Sequence, residues 1–313
     1  MSLTRVSNFA FGLALVLYVV AMVAYFHHLA FRRGRVWAVA SGLAYAGVAA
    51  HLVSVVTRGV AADRVPWGNM YEYSSMVGLL VVAGYLVVER VAKVRSLGGF
   101  ALGAAVLAMA GATMVYVTPG PLVPALNSYW IRIHVVAAMT GSSLFILGFV
   151  FTALFLVQDR KERREAARVE AEPAPALAAV GSGGGLPHDL ATSPDEPADR
   201  ADLEPRRGWL PAAAVLDRLA YRTIAFGFPI WTFAVIAGAI WAEQAWGRYW
   251  GWDPKEVWSF ITWVVFAAYL HARATVGWRG RRAALIAVVG FAALVFNLYA
   301  VNLVISGLHS YAS

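Results

Sequence analysis

At 313 residues, 60% hydrophobic and only 14% charged, the chain is far too apolar for a soluble domain of its size. Its net charge of +8 is not a nucleic-acid footprint, because the basic residues cluster at alternate ends of apolar runs instead of forming one patch. With no cysteine, the chain can form no disulfide or thiolate ligand, so any thiol chemistry belongs to a partner.

Eight apolar runs, at about 9–31, 36–57, 71–89, 97–117, 130–157, 222–242, 256–276 and 283–305, are each long enough to cross a hydrocarbon core of roughly 30 Å as a helix. None alternates apolar and polar residues as a barrel strand does. The expected fold class is therefore all-α, a polytopic transmembrane helix bundle of about eight spans. In the first run the apolar core is long and its arginines follow it, which reads as a retained helix and not a secretory signal. Basic clusters at Arg32–Arg35, Arg90–Arg95, Arg160–Arg168 and Arg279–Arg282 mark one side as cytoplasmic. All but six of the 26 basic residues fall on that side, the exceptions being Arg5, Arg58, Arg64, Arg132, Arg248 and Lys255. Both termini are then expected to be extracytoplasmic.

Residues 1–158 form an N-terminal membrane half of five spans and 222–313 a C-terminal half of three, with a loop at 242–256. Between them, 159–221 is rich in Pro, Ala, Gly and charge and reads as a disordered cytoplasmic linker. Its GSGGG run lacks the Gly-Lys-Ser/Thr ending of a phosphate loop, and His188 stands in it alone. The linker ends in WLPAAAVLDRLAYR, an amphipathic segment suited to the inner membrane surface.

The alternation of spans gathers four segments on the outer face: RGVAADRVPWGNMYEYSS, TPGPLVPALNSYWIRIH, AWGRYWGWDPKEVW and the tail NLVISGLHSYAS. His134 and His309 lie at this level together with Trp241, Trp246, Trp250, Trp252 and Trp258. Tryptophans favour membrane interfaces anyway, which accounts for one or two rings but not for this density beside charge. Two neutral imidazoles at an aromatic-lined cavity are what a haem iron needs for six-coordination, and indoles can stack on a porphyrin face. Arg248, Lys255 or Arg132 would suit its anionic propionates. Asp253, Pro254 and Glu256 also make a helix start, with Asp at the N-cap, Pro at N1 and Glu at N3. Within the membrane, His271 lies near the inner end of the seventh span, and His27 and His28 near the inner end of the first. At matched depth His271 could share a second haem with either of them, or with a histidine of another subunit. His27 and His28 also read as headgroup-facing, and His51 as a hydrogen-bonded core residue.

WGRYWGWDPKEVW matches the WGxxWxWD signature of haem-handling WWD-domain proteins. The segments PWGNMYEYSS, ALNSYWIRIH and NLVISGLHSYA and the whole stretch from Ile224 to Arg273 resemble the CcsA/ResC branch, also named CcsB. The resemblance covers the chain apart from 159–221 and the first two spans. It implies a haem-handling subunit of the system II cytochrome c synthase in the bacterial cytoplasmic membrane, with the tryptophan loop extracytoplasmic. Its cofactor, or rather cargo, would be haem b, moved outward and presented to the CxxCH motif of apocytochrome c for thioether attachment. His134 and His309 would be the axial ligands, and Trp246, Trp250, Trp252 and Asp253 would form the platform. His271 falls on the family's intramembrane histidine, whose mate is expected on a ResB-like membrane subunit. A thioredoxin-like protein would keep the thiols reduced, and any enzyme activity would belong to the holocytochrome c synthase complex. Other readings of the same residues are a permanent bis-histidine electron-transfer cytochrome, a transporter with an aromatic gate, and haem delivery to a chaperone without ligation.

Overall fold

A computed structural model describes residues 2–121, 126, 128–171, 208–305 and 307–308. Among them there is no strand. Eight helices follow the predicted spans: α1 Leu3–Phe31, α2 Gly34–Ala62, α3 Met70–Ala92, α4 Gly98–Met114, α5 Tyr129–Ala171, α6 Ala213–Trp246, α7 Pro254–Ala274 and α8 Arg281–Val295. A π turn over Phe296–Ala300 and a last turn over Val301–Leu303 continue α8.

Seven of the described helices are long and apolar enough to cross a membrane, so the chain is an all-helical, multi-pass membrane protein. Helix α7 is the one that misses that threshold. At 21 residues it is still about 31 Å long at 1.5 Å per residue. Its apolarity is diluted by Lys255 and Glu256 at one end and His271 and Arg273 at the other.

Three boundaries differ from the sequence expectation. Helix α1 starts at Leu3, capped by the Ser2 side chain, which accepts from Arg5 N. Helix α5 continues past 158 to Ala171, so the start of the segment read as linker is helical. Pairs one turn apart, Asp159–Arg163 and Lys161–Glu165, support those exposed turns. At the other end α6 begins at Ala213, fusing the amphipathic segment with the sixth span into one helix. The Glu162 carboxylate accepts the Ala213 backbone N–H at 3.0 Å, which ties the α6 N-terminus to α5. His188 lies outside the described residues.

Helices α1 and α2 pair along their length, α1 also packs on α4, and α3 packs between α4 and α5. Helix α5 is the spine: it meets α3 on one side and α6 and α8 on the other, with α7 seated on α6 and α8. The two largest core clusters are one centred on α1–α5 that also takes in Leu216 and Ala220 of α6, and a second of Phe145, Ile224, Trp231, Phe266 and Tyr269 among α5–α8. Close approach of α5 and α6 depends on Gly148, where a Cβ would meet Ile224 Cγ1 at 2.6 Å. The outcome for function is that the ends of α5, α6, α7 and α8 and the loop before α3 gather at one end of the bundle.

Candidate functional site

That end holds a cavity of about 1280 Å³ including its open mouth, lined by residues from all four segments expected on one face. The loop before α3 contributes Trp67 and Asn69, the start of α5 Arg132 and His134, the end of α6 Trp241 and Trp246, the loop Trp250, and the π turn Asn297. The wall is mainly apolar and aromatic, with a few buried polar groups, as binding pockets for large organic molecules are.

His134 is the best-positioned of these side chains. One turn into α5, its Nδ1 lies 2.7 Å from the Ala234 carbonyl of α6. A carbonyl only accepts, so Nδ1 carries the proton and the ring's lone pair is on Nε2. The ring is near-parallel to Trp241, at 6.4 Å between centroids and 14° between planes. Gly238, one turn beyond Ala234, makes room for it: a Cβ there would stand 2.7 Å from Nδ1. Trp246 meets the Trp241 ring edge-on at 4.8 Å.

Asp253 turns out to do two structural jobs. It is buried, caps α7 by accepting from Lys255 N, and completes a capping box with Glu256. Its other oxygen accepts the Leu308 backbone N–H at 2.8 Å. The residue before His309 is thus tied to the tryptophan loop, and His309 itself lies outside the described residues. Asp253 does not line the cavity.

The remaining sequence-derived candidates separate. Trp250 lines the cavity, whereas Trp252 is 70% exposed and meets Trp250 edge-on. Trp252 also holds a left-handed backbone at φ 59°, a conformation that costs a bulky residue free energy and fixes the turn into α7. Arg248 is exposed, lies across Gly251 and does not line the cavity; Lys255 and Arg132 do. Lys255 Nζ donates to Asn297 O at 2.8 Å. His271 is exposed at the far end of α7, about 24 Å along the helix from Lys255. His27 is exposed and packs at a tilt against Phe31, and His28 Nδ1 donates to Arg33 O at 3.0 Å, beyond the end of α1. His51 is a buried core residue bonded to Ser75 Oγ at 2.8 Å.

Sequence reasoning missed the frame that holds the loop before α3. Glu72 is buried between Arg58 at 2.7 Å and Arg64 at 2.8 Å, and it also accepts Gly68 N at 2.7 Å. Arg58 and Arg64 in turn donate to Val117 O and Gly120 O, binding the first two loops together. Only the occurrence of a carboxylate beside the WGNMYEYSS helix start hinted at it.

The sequence profile of a family described as cytochrome C assembly protein matches residues 67–309. The chain is 38% identical over 280 residues to the cytochrome c biogenesis protein CcsA of Gloeobacter violaceus, covering 82% of this chain and 81% of that one. It is 33% identical to CcsA of Rippkaea orientalis over 342 aligned positions and to CcsA of Synechocystis over 336, with 99% of each chain covered. Among solved structures, that of the cytochrome c heme lyase CcmF superposes with a TM-score of 0.64 at 16% identity. That match takes in 96% of this chain and 47% of CcmF, so it speaks for a shared helical fold and no more.

Proposed function

Because the chain belongs to the cytochrome c assembly protein family, we propose that it is the haem-handling subunit of a system II cytochrome c synthase. Its relatives' name, cytochrome c biogenesis protein CcsA, gives the process. Haem b is cargo here: it is received near His271, shared there with a histidine of a ResB-like subunit, and passed to the tryptophan-lined cavity on the extracytoplasmic face. In that cavity His134 and His309 hold the iron. Trp241, Trp246 and Trp250 supply apolar faces for the macrocycle, and Arg132 supplies positive charge for its carboxylates. An apocytochrome c, kept reduced by a thioredoxin-like protein, then presents CxxCH; its histidine displaces one axial imidazole, and its thiols add to the vinyl groups. The protein's part is positioning and shielding, while the bond-forming reactivity resides in the porphyrin and the thiols.

One observation carries this reading. His134 stands on the cavity wall with its Nδ1 committed to Ala234 O, while Asp253 holds Leu308, the neighbour of His309, at the same loop. The experiment is co-expression with the ResB-like subunit and a reporter cytochrome c. His134→Ala and His309→Ala are expected to abolish or cripple holocytochrome formation, and normal maturation in both variants would refute the ligand assignment. A permanent electron-transfer cytochrome would keep its haem on addition of a CxxCH peptide, whereas a handler gives it up.

A further inference from the structure

One part of the cavity wall has a chemistry that the macrocycle does not answer. Six buried side-chain atoms have no hydrogen-bond partner among the described residues, and three of them, Trp67 Nε1, Glu256 Oε1 and Asn297 Oδ1, belong to residues that line this cavity. Two of the three are acceptors on neighbouring elements. Asn297 sits in the π turn of α8 and is pinned to the first two turns of α7: Lys255 Nζ donates to its carbonyl, and its Nδ2 donates to Ser259 Oγ at 3.0 Å. Glu256 is on that same first turn, 9% exposed, and uses only Oε2 for the loop, accepting Gly251 N at 2.8 Å and Asp253 N at 3.1 Å. Buried acceptors are normally satisfied, so an orphaned pair in a binding cavity marks where a ligand's donors belong. A porphyrin with carboxylate arms brings acceptors and apolar faces to this wall. A peptide bearing thiols brings S–H and N–H donors.

Resting on the cytochrome c synthase reading above, we propose that the Glu256–Asn297 wall is the thiol site, and that Glu256 Oε1 is the base that takes the cysteine proton during thioether formation. In each addition the S–H proton passes to the carboxylate. The C–S bond forms at the vinyl carbon next to the ring as the vinyl π bond breaks, and the terminal carbon takes the proton from the carboxylic acid. The net change is S–H addition across C=C, with no oxidant or reductant consumed. Among the described residues, the charged groups that line the cavity with Glu256 are Lys255 on its own turn and Arg132 from α5, and Asp253 shares its capping box.

Glu256→Gln isolates this role. The glutamine carbonyl can keep both backbone bonds that Oε2 makes, while an amide replaces the orphaned oxygen. The complex with the ResB-like subunit, loaded with reduced haem, is mixed with a CxxCH peptide, and thioether product is followed by mass and by the shift of the reduced haem spectrum. Glu256→Gln is expected to load haem with an unchanged spectrum and to ligate about 10²-fold more slowly, the low end of general-base contributions. Glu256→Asp, which keeps a carboxylate, recovers part of that rate. The wild-type complex gives a check independent of folding: with a protein base taking the proton, its rate does not track the free thiolate fraction. Reaction of free thiolate alone would rise about tenfold per pH unit below the ordinary thiol pKa of about 8.5. A wild-type rate in Glu256→Gln, or a tenfold-per-unit climb in the wild type, overturns the base assignment. A wild-type complex that binds haem and never ligates overturns the synthase reading itself.

Discussion

Gly238→Ala puts the smallest possible load on the proposed axial ligand. The added methyl would sit 2.7 Å from His134 Nδ1 and 2.8 Å from Cε1, against ordinary contacts that begin at 3.4 Å. The imidazole must therefore retreat by roughly 0.7 Å, which is of the order of the whole tolerance of an N–H···O bond. The Nδ1 bond to Ala234 O, now 2.7 Å, lies alongside the intruding methyl and is lost or badly bent. Outer-shell bonds of this kind are worth about 10–100-fold in metal affinity, or about 1.4–2.8 kcal/mol. Alanine in a helix interior is itself favourable over glycine by roughly 0.5–1 kcal/mol, so α6 is expected to stay folded. Haem titration of the purified full chain, with thermal unfolding as the control, reads both effects. The expected outcome is intact folding with haem affinity lowered about 10–100-fold. Unchanged haem affinity in a folded Gly238→Ala chain would mean that the Ala234–His134 pairing does not prepare the ring for iron.

Asp253→Ala removes the α7 cap and the tether on Leu308, so a stability loss of about 0.5–2 kcal/mol is expected together with weaker haem retention. Thermal unfolding and haem titration separate the two, and loss of stability alone would leave the tether without a role. Glu72→Ala leaves Arg58, 3% exposed, and Arg64 without their shared carboxylate, a change of about 3–5 kcal/mol for a buried ionic partner. A fall of less than 1 kcal/mol in denaturant unfolding would show that water reaches the cluster.

The helix count and order were legible because apolar run length is set by membrane thickness, and alternation of the spans brought four segments to one cavity rim. Asp253-Pro254-Lys255-Glu256 was legible as a helix start because capping is local in sequence, and the capping box is there. Helix ends were less legible, since composition marks the segment after 158 as linker while one-turn ion pairs carry α5 on to Ala171. What fixes the site was out of reach of pattern reading. Ala234 O, Gly238 and Trp241 matter to His134 only through the packing of α5 on α6, a relation between residues about a hundred positions apart. Likewise Asn297 earns its place through a π turn, which follows from tertiary packing and not from local propensity.

The central claim is that His134 and His309 share one iron. Absorption and electron paramagnetic resonance spectra of the haem-loaded full chain test it directly. The expected result is a low-spin, bis-imidazole haem that turns high-spin in His134→Ala and in His309→Ala alike and is restored in each by added imidazole. A low-spin bis-imidazole spectrum that survives either substitution unaltered would contradict it.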